Sequence, residues 1–269
     1  TTGAQNTIVG GLAGDALTTG GSNVAFGYNS LSTEDTGARN TAVGYNSLKN
    51  LNFDGNGYNT AIGYDAGRKL TTGDQNTILG SLAGDALTEG NTNVAIGYVA
   101  LSSETLGDRS VAIGRGALGA QNNTSNVDAF NIAIGYDAGG DVTTGILNSM
   151  VGGLAGDALT TGVSNVAFGF GALSAETTGA ANVSIGTYAM SSSTLASRNV
   201  AIGHQALQDL TYSSLTLSYN TGVGHAAGAN ITSGINNTII GALAGDALTT
   251  AANNTALGYA ALGSDVAGD

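Results

Sequence analysis

The sequence predicts an all-β fold, a parallel β-solenoid of about fifteen 17-residue coils, and three observations carry that prediction. A five-residue phrase ending in Gly, typified by Asn59-Thr60-Ala61-Ile62-Gly63, begins at Asn6, Asn23, Asn40, Asn59, Asn76, Asn93, Ser110, Asn131, Asn148, Asn165, Asn182, Asn199, Asn220, Asn237 and Asn254. Eleven of its fourteen spacings are 17 residues, and the others are 19, 21 and 21. The fourth position of the phrase is apolar in every copy, from Val9 and Phe26 to Ile240 and Leu257. Residues 1–269 therefore read as one repeat domain, an excerpt of a longer fibre.

Within the phrase, the two-residue period of a strand puts positions two and four on one face and position three, most often Ala, on the other. The apolar fourth position is expected to face the core. The Gly that follows marks a tight turn or a close approach of another backbone. Three residues past it every copy has Ala or Ser, from Ala13 and Ser30 to Ala244 and Ala261, which calls for close packing. The next residue is Leu or Met in eight copies and Gly in seven. Where it is Gly, Leu17, Leu70, Leu87, Val142, Leu159, Ile231 or Leu248 follows three residues later, so the core contact moves along the coil.

Seventeen residues suit two strands of about five residues and two turns, a flat roll. In-register stacking at about 4.8 Å would align the leading Asn residues into an amide ladder and give a rod of roughly 70 Å. The long spacings all place their extra residues after Leu48, Leu118 and Leu207, so 49–58, 119–130 and 208–219 are expected to project as loops from one edge. Leu-Ala-Gly-Asp-Ala-Leu-Thr recurs at Leu12, Leu82, Leu154 and Leu243, a longer period of about four coils that points to duplication of whole blocks.

Composition bounds the function. The chain has 44 Gly, no Pro, no Cys and no Trp, with 42% hydrophobic and 10% charged residues. Such a chain fills a thin core, and its low charge and mean hydropathy of +0.11 oppose disorder. The formal charge of −12 opposes phosphate binding, so no nucleic-acid partner is expected. No apolar run approaches the roughly 20 residues of a membrane-spanning helix, so no membrane insertion is expected. A lone stack of such coils buries few large side chains and leaves open sheet edges. Lateral association is therefore expected, with further coils or another domain beyond both ends.

The phrases Asn93-Val94-Ala95-Ile96-Gly97-Tyr98-Val99-Ala100 and Asn199-Val200-Ala201-Ile202-Gly203-His204-Gln205-Ala206 resemble the head repeat of trimeric autotransporter adhesins, also found in bacteriophage tail fibres. The resemblance covers essentially the whole chain, although the coil here is longer than that repeat. It implies a left-handed parallel β-roll, a homotrimer and attachment to a host surface. The expected function is a structural fibre or adhesin segment, extracellular on a virion or cell, displaying loops toward host-surface carbohydrate or protein. A second resemblance, of Ile62-Gly63-Tyr64-Asp65-Ala66-Gly67 to one hexapeptide of the left-handed β-helix acyltransferases, covers one hexapeptide per coil where that fold needs three. The alternatives are thus a β-helix enzyme scaffold, tailspike-like or acyltransferase-like, and thirdly an ice-binding protein.

Candidate site residues sit in the slot after the Gly: Tyr28, Tyr45, Tyr64, Tyr98, Tyr136, Phe170, His204, His225 and Tyr259. Aromatic rings there could stack sugar rings, or form a packing ladder or inter-chain contact. His204 and His225 occupy it in successive coils and should stack, where a metal or anion could be held if chains gather. Asp15, Asp85, Asp157 and Asp246 lie four or five coils apart, cannot share one ion, and read as turn residues. The Thr-Thr-Gly pairs at Thr18, Thr71, Thr143 and Thr160 raise ice binding but do not recur in every coil. With no Cys, two His and adjoining Glu34 and Asp35 that should point apart, no catalytic residue, metal site or cofactor is expected. Sequons such as those at Asn182 and Asn236 matter only in a glycosylating host.

Overall fold

The computed structural model describes residues 2–264. It is all-β, with no helix among the described residues, and forms a parallel β-solenoid of about fifteen turns of about 17 residues. The chain divides into two compact units, one ending at Asn131 and the other beginning at Ile132.

The first unit contains β1 (Thr7–Val9), β2 (Val24–Phe26), β3 (Thr41–Val43), β4 (Thr60–Ile62), β5 (Thr77–Leu79), β6 (Val94–Ile96) and β7 (Val111–Ile113). Each pairs in parallel with the next and like residues align, as Thr7 with Val24 and Val94 with Val111. In the second unit come β8 (Ile132–Ile134), β9 (Ser149–Val151), β10 (Val166–Phe168), β11 (Val183–Ile185), β12 (Thr194–Ser197), β13 (Val200–Ile202), β14 (Thr211–Leu217), β15 (Thr221–Val223), β16 (Thr238–Ile240) and β17 (Thr255–Leu257). Here β12 and β14 pair with each other, and the remaining strands stack as in the first unit. Register survives the long spacings, because Thr41 still faces Thr60 and Val200 still faces Thr221. Within each unit, each Asn-to-Gly phrase is therefore one rung hydrogen-bonded to its neighbours.

The expected inward face is reversed. Ala25, Ala42, Ala61, Ala95, Ala133, Ala167 and Ala201, at the third position, are fully buried. The fourth position points outward, with Phe26 54% and Phe168 55% exposed. A two-residue period separates two faces without saying which is inside, and the interior of so thin a roll is too narrow for a column of Ile and Phe. It is filled instead by these Ala, by the Ala or Ser after the turn, and by a large residue beyond that, which a second joins in coils such as those of Leu48 with Leu51 and Leu87 with Ile78.

That large residue has two placements. In one coil type it is Leu31, Leu48, Leu101, Leu118, Leu173, Met190 or Leu207, all fully buried and all with φ between 47° and 57°. This left-handed backbone costs a side-chain-bearing residue about 1–2 kcal/mol. In the other type Gly takes the position without strain, and the apolar residue three places on fills the space. A Cβ on Gly84 would lie 3.0 Å from Leu87 Cδ1, and one on Gly156 would lie 3.0 Å from Leu159 Cδ1 and Met150 Sδ.

The turn Gly follows the expected logic. Gly97 has a φ of 135°, and a Cβ there would lie 2.5 Å from the Gly114 carbonyl oxygen on the next rung. The expected second strand does not form in most coils. Left-handed residues alternate along that side, as at Asn29 and Leu31, so the backbone cannot extend. It still stacks by direct bonds, Gly14 N–H to Ser30 O and Leu31 N–H to Ser47 O. The expected loops also differ in part: Leu51, Gln121 and Leu210 are buried at their bases, and the third stretch contains β14.

Candidate functional site

The ladder of leading Asn residues is present, and it lies inside the solenoid. Each Asn Oδ1 accepts the backbone N–H of the next rung's leading residue at 2.9–3.1 Å, in the first unit from Asn6 to Ser110 and in the second from Asn148 to Asn254. The Nδ2 of most donates across its own coil to a carbonyl fourteen residues on, as Asn76 to Gly90 O at 2.8 Å and Asn165 to Gly179 O at 2.8 Å. One amide thus ties neighbouring rungs and closes its own coil, which buried polar groups require. Asn182 is fully buried in this ladder, so it is no glycan acceptor in the folded chain. At Ser110 the amide is replaced: Gln121 donates to Ser110 Oγ at 2.9 Å and accepts from Asn131 Nδ2 at 2.8 Å.

Sequence reading missed the burial of three carboxylates, having weighed only Glu34, as one of two adjoining acids that should point apart. Glu34, Glu104 and Glu176 are fully buried and occupy the place that Leu fills in other coils. Glu104 accepts the backbone N–H groups of Thr105, Leu106, Gly107 and Asn123, and the side-chain amides of Gln121 and Asn123. Glu176 accepts from Thr177, Thr178, Gly179, Leu195 and Ala196. Each pins the turn of its own coil to the next. Burial raises the Glu34 pKa, against the pull of the Gly37 and Phe53 N–H groups.

The slot after the turn Gly carries the expected rings on the outside. Tyr28, Tyr45 and Tyr64 stack at centroid separations of 5.6 and 5.3 Å, and their hydroxyls have no hydrogen-bond partner among the described residues. Tyr98 and, in the second unit, Tyr136 and Tyr259 are exposed in the same slot. His204 and His225 stack at 5.3 Å with planes 9° apart, as their spacing implied. Tyr188 meets His204 and Phe170 edge-on. Among the described residues no three His, Asp or Glu converge on a possible metal position. Of the Asp quartet, burial raises the pKa of Asp85 and Asp157. The first hydroxyl of several Thr pairs donates to a carbonyl of the next rung, Thr18 to Asp35 and Thr71 to Thr88.

Comparison with family models, with curated proteins and with solved structures finds no match to this chain. Its functional reading therefore rests on its own surface. Beside the ring slot, the outward positions of the strands form an apolar strip along each unit. In the first it runs through Val9, Phe26, Val43, Ile62, Leu79, Ile96 and Ile113, and in the second from Ile134 through Phe168 to Leu257.

A further feature escaped the sequence reading. Arg39, Arg109 and Arg198 each lie just before the leading residue of a coil with extra length, and Tyr58, Phe130 and Tyr219 occupy the same place one rung on. Each guanidinium sits over the ring at 5.4, 5.6 and 5.5 Å from its centroid. The pairs are 19 or 21 residues apart, and only alignment of the coils by slot brings them together.

Proposed function

We propose that this chain is a segment of a surface fibre or adhesin whose copies associate side by side, displaying its edge stretches away from an anchoring surface. The observation that carries the reading is the outward apolar strip. From the second position of the phrase to the ring slot each rung spans about 13 Å, and rungs repeat at about 4.8 Å, so seven rungs present roughly 400 Å². A strip of that size, with Thr7, Thr41, Thr60 and Thr77 along one margin, is on the scale of the largest apolar patch of an ordinary monomer, which is often functional. Its flat regular period suits an identical strip on another copy, since like rungs can then meet like rungs along the whole length. The resemblance of the phrase to trimeric fibres sets the expected number at three and the location outside the cell or on a virion. No catalytic role is assigned.

The test is the mass of the native assembly by light scattering or native mass spectrometry at micromolar concentration. Three copies are expected. The paired substitution Phe26→Lys with Ile62→Lys should lower the mass while the β-sheet circular dichroism persists. A stable monomer of the unsubstituted chain would remove the lateral-association reading.

A further inference from the structure

The three Arg–aromatic pairs are not equivalent, and the difference points to a ligand. In the first unit Arg39 is followed on successive rungs of the same slot by Tyr58 and Gln75. In the second unit Arg198 is followed by Tyr219 and Asn236. The same triad of guanidinium, phenol and carboxamide is thus built twice. Arg39 and Arg198 each donate from Nη1 to the phenol oxygen, at 2.6 Å in the second case, and neither has a carboxylate partner among the described residues. Tyr58 is 49% exposed and Tyr219 47% exposed. The third pair has lost both features: Phe130 offers no hydroxyl, and Arg109 is paired with Asp128.

We propose that the Arg39–Tyr58–Gln75 and Arg198–Tyr219–Asn236 triads are binding sites for an acidic saccharide, whose carboxylate or sulfate takes the guanidinium and whose hydroxyls take the phenol and amide. A guanidinium with free N–H groups is a fork for such an anion, and holding it over a ring fixes its plane beforehand. Phenol and carboxamide each both donate and accept, which suits sugar hydroxyls. Rungs about 4.8 Å apart place the three groups along a length comparable to one or two sugar rings. Gln75 Nε2 donates to Asp74 Oδ2 at 3.4 Å. The chain carries seven Lys and Arg against 19 Asp and Glu, so two uncompensated guanidiniums in matching slots are local cationic points on an acidic surface. The site rests on the attachment reading but falls separately from it.

The test is calorimetric titration with three hexasaccharides: hexagalacturonate, a sulfated hexasaccharide and neutral maltohexaose. At least one acidic hexamer should bind at least tenfold more tightly than maltohexaose, with affinity falling as salt rises. The double variant Arg39→Gln with Arg198→Gln should lose at least tenfold, each single variant should halve the stoichiometry, and Arg109→Gln should change neither by more than twofold. The preferred acidic hexamer distinguishes uronate from sulfate recognition. Should the Gln variants melt early, Arg39→Lys with Arg198→Lys decides, since it keeps the charge and loses the fork, and a severalfold loss is expected. Equal affinity for maltohexaose, no binding at millimolar saccharide, retained binding in the double variant, or an equal loss in Arg109→Gln overturns the proposal. Any of these with the assembly mass unchanged leaves the fibre reading standing.

Discussion

Removing one amide from the Asn ladder should open the solenoid locally, and Asn76→Ala is the cleanest case. In the native chain Asn76 Nδ2 donates to Gly90 O at 2.8 Å, and its Oδ1 accepts from Asn93 N–H at 2.9 Å. Asn59 Oδ1 keeps the backbone N–H of residue 76 as a partner in the variant, so two buried groups are orphaned, the Gly90 carbonyl and the Asn93 amide. Each costs about 1–3 kcal/mol unpaired, about 4 kcal/mol together. At about 1.4 kcal/mol per decade the opening constant rises roughly a thousandfold. Stacked repeats open in parts, so global melting is a poor measure, and hydrogen exchange at the Asn93 amide is the direct one. Its protection should fall by about three decades, with smaller losses on rungs farther away. The Ser110 rung supplies a control. Gln121→Leu alone should weaken it, because Ser110 Oγ, Asn131 Nδ2 and Glu104 Oε2 lose Gln121. Adding Ser110→Asn should recover most of the loss, since it rebuilds the Asn40 and Leu51 arrangement found one rung above Glu34. A fall in Asn93 protection of less than about tenfold would mean the ladder is ornamental to a stack held by its backbone.

Two further outcomes follow from the core and its carboxylates. Met190→Gly relieves a left-handed φ of 48° but empties a fully buried place, so a net loss of about 2–3 kcal/mol is expected. Adding Ser193→Leu converts that coil to the other type, and denaturant titration should show the double variant more stable than the sum of the singles by at least about 1 kcal/mol; strict additivity would refute two exchangeable placements. Glu34 has a raised pKa in the folded state, so folding takes up a proton and its contribution is largest below about pH 4.5 and lost as pH rises through the raised value. The denaturation midpoint of the unsubstituted chain relative to Glu34→Gln should therefore improve on acidification from pH 7, and a relative decline would contradict the assigned cause.

Spacing made the rungs legible because parallel stacking needs equal turns, and the fixed Asn and Gly each mark a place where one rung touches the next. Which face lies inside was open to the same reasoning, but through variability rather than hydrophobicity. The fourth position accepts Val43, Ile62 and Phe26 alike, whereas the third is Ala in most coils and enlarges to Ile8, Ile78, Met150 or Ile239 only where the residue after the small one is Gly14, Gly84, Gly156 or Gly245. Such reciprocal sizing is the mark of a close-packed interior, and a column that exchanges Val for Phe with nothing opposite to compensate is an exterior one. The left-handed turns hide for a different reason: Asn29, Leu31 and Arg39 share one backbone class, so no residue type announces it. The Arg–aromatic pairs are hidden by the extra residues between them, because contact in a solenoid follows slot and not separation. An insertion that leaves Thr41 facing Thr60 also leaves Arg39 beneath Tyr58, so the extra length changes the edge and preserves every column. That separation of edge from column is what allows a single scaffold to be lengthened block by block while each block carries its own surface chemistry.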